Sequence, residues 1–296
     1  MKRMAGALLA VLWLCWAALG EGNWSAADWA AVTDALRSDA ENPVPEERRL
    51  SVSPGQLSAA AGLDKAKMNI LLLSTDAPDI RQNFGRSDVM MICSVDLETG
   101  DTRLLSLPAE ARVSPEGLPE AVALKYANCF GGPLLAAKAV NEGLGLNIQR
   151  YCAVNFDAFT DVVDALGGVS LPLTETEAAA LGLEAGERQL TGEETLRYVR
   201  LRQESQDMPR PRKLLLAVLD QALSRNSLDD AFALVEALLP ILDTNLTTEN
   251  LMDLLFALLG QEETPAFSAR GLEMDGAAEL SAGTEACHTF LYEAAE

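Results

Sequence analysis

The sequence predicts an α/β fold. Two observations carry this expectation. From Lys67 onward, short apolar runs of strand length alternate with amphipathic stretches of helix length. The first three of those runs follow one another so closely that they read as antiparallel neighbours, whereas the later ones are separated by helices.

Asn69 to Ser74 (NILLLS) is short and apolar and is followed by Thr75-Asp76-Ala77-Pro78, a buried strand ending in a turn. Val89 to Val95 begins directly after Asp88, and Glu98-Thr99-Gly100-Asp101 turns the chain into a third run, Thr102 to Leu107, which makes a hairpin. Helices are expected at Pro119 to Cys129 and Pro133 to Gly143. A strand follows at Arg150 to Val154, then a helix at Phe156 to Leu166 and a strand at Val169 to Leu173. Thr191 with Glu194 forms a capping box for a helix running to about Arg202. Further helical patterns cover Arg212 to Arg225, Leu228 to Leu239 and Thr248 to Leu259.

Ahead of this region stands a targeting segment. Lys2 and Arg3 precede an apolar run from Ala5 to Leu19, and Ala17-Ala18-Leu19-Gly20 supplies small residues for cleavage. Residues 1–20 are therefore read as a signal peptide or a membrane anchor, and the protein as extracytoplasmic, anchored or secreted into the envelope. Leu14 before Cys15 argues against lipoprotein processing. Residues 21–66 read as a stalk, with a short helix at Trp24 to Arg37 and then Pro43, Pro45 and Pro54. The folded domain is expected over 67–296. The net charge of the whole chain, −21, becomes −23 once Lys2 and Arg3 are removed with the leader, which disfavours nucleic acid as a partner. Cys93, Cys129, Cys152 and Cys287 remain beyond the leader, and Cys129 with Cys152 is the first pair to examine for a disulfide.

The chain has one histidine, His288, beside an apolar run. Ser-His-Asp hydrolysis and histidine general-base catalysis would both have to use this one residue, which at the edge of an apolar run is more often structural, and a His-rich zinc site needs more than one. No P-loop and no GxGxxG after a strand is present. Carboxylates and arginines remain. If the first strand pairs antiparallel with the second, Asp76, Asp88 and Glu110 share one rim of the sheet, where metal-dependent phosphate chemistry would use them; any one of them alone is more often a solvated turn residue. Arg200, Arg202, Arg210 and Arg212 gather at one place, and guanidinium forks suit phosphate oxygens. Arg200 and Arg202 serve one ligand only if the helix ends between them, and the alternative is a basic helix end favourable to the dipole.

In order and spacing, NILLLSTD, GRSDVMMICSVD with LLSLP, FGGPLLAAKAVNEGLGL, YCAVNFDAFTDVVDALGGVSLPLT, LTGEETLRYVRLR and FLYE resemble the LytR-CpsA-Psr family over about Asn69 to Tyr292. The resemblance implies a three-layer α/β/α sandwich with a central mixed sheet and a hydrophobic pocket for a polyprenyl chain. It also implies transfer of a glycopolymer from a polyprenyl-pyrophosphate carrier to a peptidoglycan acceptor at the membrane surface. By the same resemblance, Asp76 and Asp88 would hold Mg2+, and Arg200, Arg202 and Arg210 would grip the pyrophosphate and stabilise charge in transfer. Leu214 to Leu223 and Leu251 to Leu259 are candidates to line the pocket, though core packing explains them equally well.

The chain departs from that pattern. Leu107-Pro108-Ala109-Glu110 stands where the family commonly has I-P-R-D, so an arginine is missing and the acid, Glu110, is one methylene longer. Pro78 replaces another arginine, and Leu214 a glutamine. Lys125 is the nearby candidate for the family's displaced lysine, and Arg81, Arg86 or Arg112 for the missing guanidinium. Two readings follow: a divergent phosphotransferase, or a non-catalytic module that binds polyprenyl phosphates or wall glycan. Transcriptional regulation fits poorly with an export leader and strong acidity.

Overall fold

The computed structural model describes residues 25–37, 44–57, 60–77, 84–201, 210–223, 235, 239–240, 242–261, 265–275 and 277–293. The leader and the expected helix at Leu228 to Leu239 lie almost wholly outside them. No helix among the described residues is long and apolar enough to cross a membrane.

The centre of the molecule is β1 (Lys67–Thr75). It pairs antiparallel with β2 (Met90–Asp96), which in turn pairs antiparallel with β3 (Thr102–Leu107), as the hairpin pattern predicts. Two further two-residue strands, β4 (Arg112–Val113) and β5 (Val122–Ala123), pair as a separate ribbon. On its other side β1 runs parallel to β6 (Arg150–Asn155). A second small sheet joins β7 (Val169–Leu173) to β8 (Gly186–Leu190). The sequence reading missed β4, β5 and β8, and also β9 (Asp243–Thr244) and β10 (Phe267–Gly271), which form the edges of the main sheet and give the order β10-β3-β2-β1-β6-β9. The sheet is mixed and six-stranded, and helices cover both faces.

The alternation of strand side chains sorts the cores. Leu71, Leu73, Met90, Ile92, Leu105 and Leu107 face one way. They pack with a long helix, Leu124–Leu144, and with the C-terminal helix Thr284–Tyr292. Ile70, Cys93, Val95 and Leu104 face the other way, against the helices Arg210–Leu223 and Thr248–Leu259. A third cluster gathers around buried Tyr198 from Phe156–Ala165, Glu175–Leu181, Gly192–Arg200 and the small sheet. In chain order, with the N-terminal helix Ala26–Arg37 as α1, these helices are α2 (Leu124–Leu144), α3 (Phe156–Ala165), α4 (Glu175–Leu181), α5 (Gly192–Arg200), α6 (Arg210–Leu223), α7 (Thr248–Leu259) and α8 (Thr284–Tyr292). The Thr191 and Glu194 capping box predicted for α5 is present, and α4 and α7 carry their own.

The structure corrects the sequence reading in two regions. Residues expected as a stalk belong to the folded unit: Val32 and Leu36 of α1, with Val44 and Leu57, are buried in the main core, and the Trp29 ring stacks on Phe130 at 5.8 Å. Pro45 precedes and Pro54 opens a 3-10 turn, at Glu46–Arg48 and Pro54–Gln56, so these prolines fold the chain back onto the domain rather than extending it. Burying four such aliphatic side chains stabilises by roughly 1.5–3 kcal/mol each, which is more than a passive linker supplies. The two helices expected at Pro119 to Cys129 and Pro133 to Gly143 are one element that begins only at Leu124, because Val122 and Ala123 are held in β5. It breaks in the middle, where Gly132 adopts φ +68° and ψ −168°, a conformation open to glycine, and Pro133 restarts the helix.

Two carboxylates give the fold an acid limit. Burial opposes ionisation of Asp96, but hydrogen bonds from Lys67 Nζ at 3.0 Å and from the backbone of Thr99 and Glu98 outweigh it and hold its carboxyl below the ordinary 3.8. Burial likewise opposes ionisation of Glu177, and hydrogen bonds from Thr174 and Arg210 with the charge of Lys213 hold it below 4.5. A depressed carboxyl contributes stability that is present above its unfolded value and lost as pH falls through its folded one. The urea midpoint is therefore expected to be flat near neutrality and to fall below about pH 4.5. Asp96→Asn should lower the midpoint at pH 7 and narrow its gap to the wild type as the medium is acidified.

Candidate functional site

The site is assembled at the end of the sheet where β1 and β6 finish and β2 begins. Asp76 follows β1 directly, and Asp88 lies just ahead of β2. The returning hairpin brings Glu110 to the same side after β3. Backbone hydrogen bonds tie the three together: Asp76 N–H to Arg86 O at 3.1 Å, Ser87 N–H to Lys125 O at 2.9 Å, and Lys125 N–H to Ala109 O at 3.0 Å. The antiparallel register therefore gathers the acids that the sequence reading placed on one rim.

Their side chains have definite partners. Asp76 Oδ1 accepts the Arg86 backbone N–H at 2.7 Å, and Oδ2 accepts Arg86 Nε at 2.9 Å. Of the arginines considered as replacements for the one missing at Ala109, Arg86 is the one at the rim. Arg112 turns instead to the carbonyl of Ala121 and towards Glu279, and Arg81 lies outside the described residues. Lys125 Nζ sits 2.5 Å from Glu110 Oε1. Burial works against the Lys125 charge, but Glu110 and the nearby Asp88 carboxylate more than compensate and raise its pKa above the ordinary value. Lys125 is thus the ammonium of the rim, on the first turn of α2.

Gly85, which the sequence reading passed over, fixes this geometry. A Cβ on it would collide with Asp76 Oδ1 and lie 2.6 Å from Ala77 N and 2.7 Å from Thr75 Oγ1. Asn128, buried on α2, donates from Nδ2 to the Gly85 carbonyl at 2.8 Å and holds the loop from below. The signal in the sequence is the glycine in Phe84-Gly85-Arg86, twelve residues or fewer from both aspartates.

Against this polar rim lies an apolar cavity of about 200 Å³. The sheet register builds its floor: Ser74, beside Val89 and Val154, forms one row, and Leu72, between Met91 and Cys152, forms the next. Leu196 and Val199 of α5 and Leu214, Leu215 and Val218 of α6 supply the opposite wall. Ser74 stands two residues before Asp76, and Val89 directly follows Asp88, so the cavity reaches the acid rim. Of the expected Leu214 to Leu223 stretch, Leu214, Leu215 and Val218 line it, whereas the Leu251 to Leu259 helix packs into the core beneath β2. Leu214, where the family pattern has a glutamine, is buried and extends the apolar wall.

The arginines divide. Arg200 is exposed in the last turn of α5, directly after the cavity residue Val199. The helix ends there, with Leu201 extended at φ −60° and ψ 142°, as a shared role with Arg202 requires, although Arg202 lies outside the described residues. Arg210 is turned inward: its Nε is 3.1 Å from Glu177 Oε1, its Nη1 donates to Leu201 O at 3.0 Å, and its guanidinium lies over the Tyr198 ring. The pair is only 12% and 10% exposed, so Arg210 clasps α6 to α4 and to the end of α5. Among the described residues all four cysteines are free, Cys129 and Cys152 included, and burial pushes each thiol up to about 12. They are inert at neutral pH.

Two aspartates at one rim supply hard oxygen donors, and Mg2+ is commonly held by one or two carboxylates together with phosphate oxygens and water. Among the described residues no group of three His, Cys, Asp or Glu side chains converges to hold a metal unaided. The donor chemistry fits a divalent cation that arrives with, or is completed by, a phosphate ligand.

Curated relatives include two transferases named polyisoprenyl-teichoic acid–peptidoglycan teichoic acid transferase TagU. The protein of Oceanobacillus iheyensis is 28% identical over 231 residues, 74% of this chain and 70% of its own length. That of Enterococcus faecalis is 26% identical over 223 residues, 72% of this chain and 74% of its own. Among solved structures, LytR-CPS2A-psr family protein YwtF (TagT), with bound octaprenyl pyrophosphate lipid, superposes with a TM-score of 0.61 at 22% identity, covering 82% of this chain and 99% of that one. Bacillus subtilis TagV gives 0.60 at 21% identity, covering 79% and 100%. These neighbours bear out the α/β fold with its central mixed sheet. The model of the LytR_cpsA_psr family matches residues 30–281, a span that includes most of the N-terminal helix, the rim and the cavity, and the chain belongs to that family.

Proposed function

We propose that this protein is an extracytoplasmic transferase that moves a glycopolymer from a polyprenyl-pyrophosphate carrier to peptidoglycan, held at the membrane surface by its N-terminal leader. The observation that carries the reading is the juxtaposition of an apolar cavity with a rim of carboxylates and cations. One end of such a site takes an isoprenoid chain and the other a pyrophosphate. The names of the relatives, teichoic acid transferases, and the octaprenyl pyrophosphate bound by one structural neighbour support the same assignment.

In this reading the cavity seats the lipid tail between the sheet and α5 and α6, and the pyrophosphate lies at the rim. Lys125 and Arg200 present cationic groups to its oxygens, with Arg202 beyond the end of α5. Asp76 and Asp88 would hold Mg2+, which when bound neutralises phosphate charge. An acceptor hydroxyl of peptidoglycan forms a bond to the polymer-side phosphorus as the bond from that phosphorus to the bridging oxygen breaks. Polyprenyl phosphate leaves with that oxygen, the polymer is left in a phosphodiester, and the hydroxyl proton passes to Glu110, the rim carboxylate not assigned to the cation. Catalysis of this kind is mostly positioning and charge stabilisation.

A second reading, a binding module without transfer, is favoured by one observation: Arg210 is engaged by Glu177 and the Leu201 carbonyl, and Ala109 brings no guanidinium. Binding of a short-chain polyprenyl pyrophosphate to the full chain, with and without magnesium, followed by transfer to peptidoglycan fragments, separates the two. Metal-dependent binding lost in Asp76→Ala and weakened at least tenfold in Arg200→Ala, together with transfer by the wild type, is the expected result. Binding without transfer, in a protein where Ala109→Arg also fails to transfer, would leave the module.

A further inference from the structure

The catalytic rim is braced by a part of the chain that the sequence assigns to a stalk. Leu50 N–H donates to Phe130 O at 2.6 Å, so residues just upstream of the domain lie along α2 at its break. The space a Cβ of Gly131 would need is taken by the Leu50 carbonyl, 2.8 Å away. The space above Gly132 is taken by the Phe84 ring, with Cζ 2.7 Å from the position of the missing Cβ. The Arg49 guanidinium lies over the same ring at 5.2 Å, and Arg49 Nε is itself set by the Val44 carbonyl at 3.3 Å. Phe84 is covalently next to Gly85, whose backbone abuts the Asp76 carboxylate, and Arg86 then binds that carboxylate through both backbone and side chain. The double glycine of α2 is thus a socket shared by the upstream strand of chain and the aromatic root of the site loop.

We propose that Val44 to Leu50 is a positioning strap, in which Arg49 presses Phe84 into the Gly131-Gly132 socket and so fixes where Gly85 and Arg86 hold Asp76. Arg49 and Phe84 are positioning residues; neither touches the substrate. The proposal rests on the reading of Asp76 as a site carboxylate for its effect on transfer, but not for its effect on the loop. A cation over an aromatic face is a modest contact, of about 0.5–2 kcal/mol, so its loss should loosen a local loop without unfolding the domain. A reacting group displaced by about 1 Å can cost on the order of a hundredfold in rate.

The test uses the full chain with Arg49→Ala, Arg49→Lys and Phe84→Leu. Amide hydrogen exchange is read at Arg86 and Ser87, whose N–H groups are bonded to Asp76 Oδ1 and Lys125 O, and at Leu71 and Ile92 in the central sheet as controls. In Arg49→Ala and Phe84→Leu, exchange at Arg86 and Ser87 is expected to rise about tenfold or more and to stay unchanged at the controls, with Arg49→Lys restoring much of the protection. In the transfer assay kcat should fall about tenfold or more with KM for the lipid little changed, because the cavity is untouched. Unchanged exchange at Arg86 and Ser87, or an equal rise at the controls, overturns the proposal. Loop loosening in a protein whose wild type transfers nothing would uphold the strap and reject the transferase reading.

Discussion

Gly85→Ala is expected to reduce transfer at least a hundredfold while leaving a folded protein. The added methyl has nowhere to go: it meets Asp76 Oδ1, Ala77 N and Thr75 Oγ1 at once; Ala77 N belongs to the backbone and cannot rotate away, and Thr75 Oγ1 is held by the Ala77 N–H at 3.2 Å. The flexible partner is the Asp76 side chain, so the carboxylate moves and breaks its pairing with the Arg86 N–H. Displacing one preorganised charged group from a transition-state site costs on the order of a hundredfold to a thousandfold in kcat. The core beneath, built from Leu71, Leu73, Met90 and Phe130, does not depend on that contact. The measurement is kcat together with thermal midpoint. A large loss of kcat with a midpoint shifted by a few degrees is the expected pair of results, whereas full activity would remove Asp76 from the machinery.

That glycine also marks how far the sequence could be read. The central hairpin, the parallel partner at Arg150 and the helices after Asn155 and Thr191 were legible because their signals are local: apolar runs of strand length, a turn at Glu98 to Asp101, and capping residues at fixed spacing. Convergence of Asp76, Asp88 and Glu110 followed from the antiparallel register alone. What was missed depends on long-range packing. The edge strand β10 pairs with β3 across more than a hundred residues, and its own burial is slight, so it has no alternation to betray it. The upstream segment looked like a stalk because prolines dominate it, yet Val44 and Leu57 find partners in a core whose residues lie far along the chain. Arg210 illustrates the same limit. The family resemblance assigns it to the pyrophosphate, but the fold sets it against Glu177.

Val199→Trp should separate the two ends of the site. Val199 lies on the α5 wall of the cavity, opposite a floor of Leu72, Ser74 and Met91, and an indole there occupies space that an isoprenoid tail would fill. Each excluded methylene forfeits about 0.8 kcal/mol of transfer from water, so excluding four weakens lipid binding by about 3 kcal/mol, roughly a hundredfold. The substitution fills existing space rather than a packed core, which limits its own cost to the 1–3 kcal/mol typical of overpacking. Inorganic pyrophosphate contacts only the rim, and its magnesium-dependent affinity should stay within about twofold of the wild type. Calorimetric titration of both ligands against both proteins reads the split directly. Equal weakening of the two would mean that α5 carries Arg200 out of place, and equal retention would mean that the lipid lies somewhere other than this cavity; either result would break the link between apolar wall and charged rim on which the proposed transfer depends.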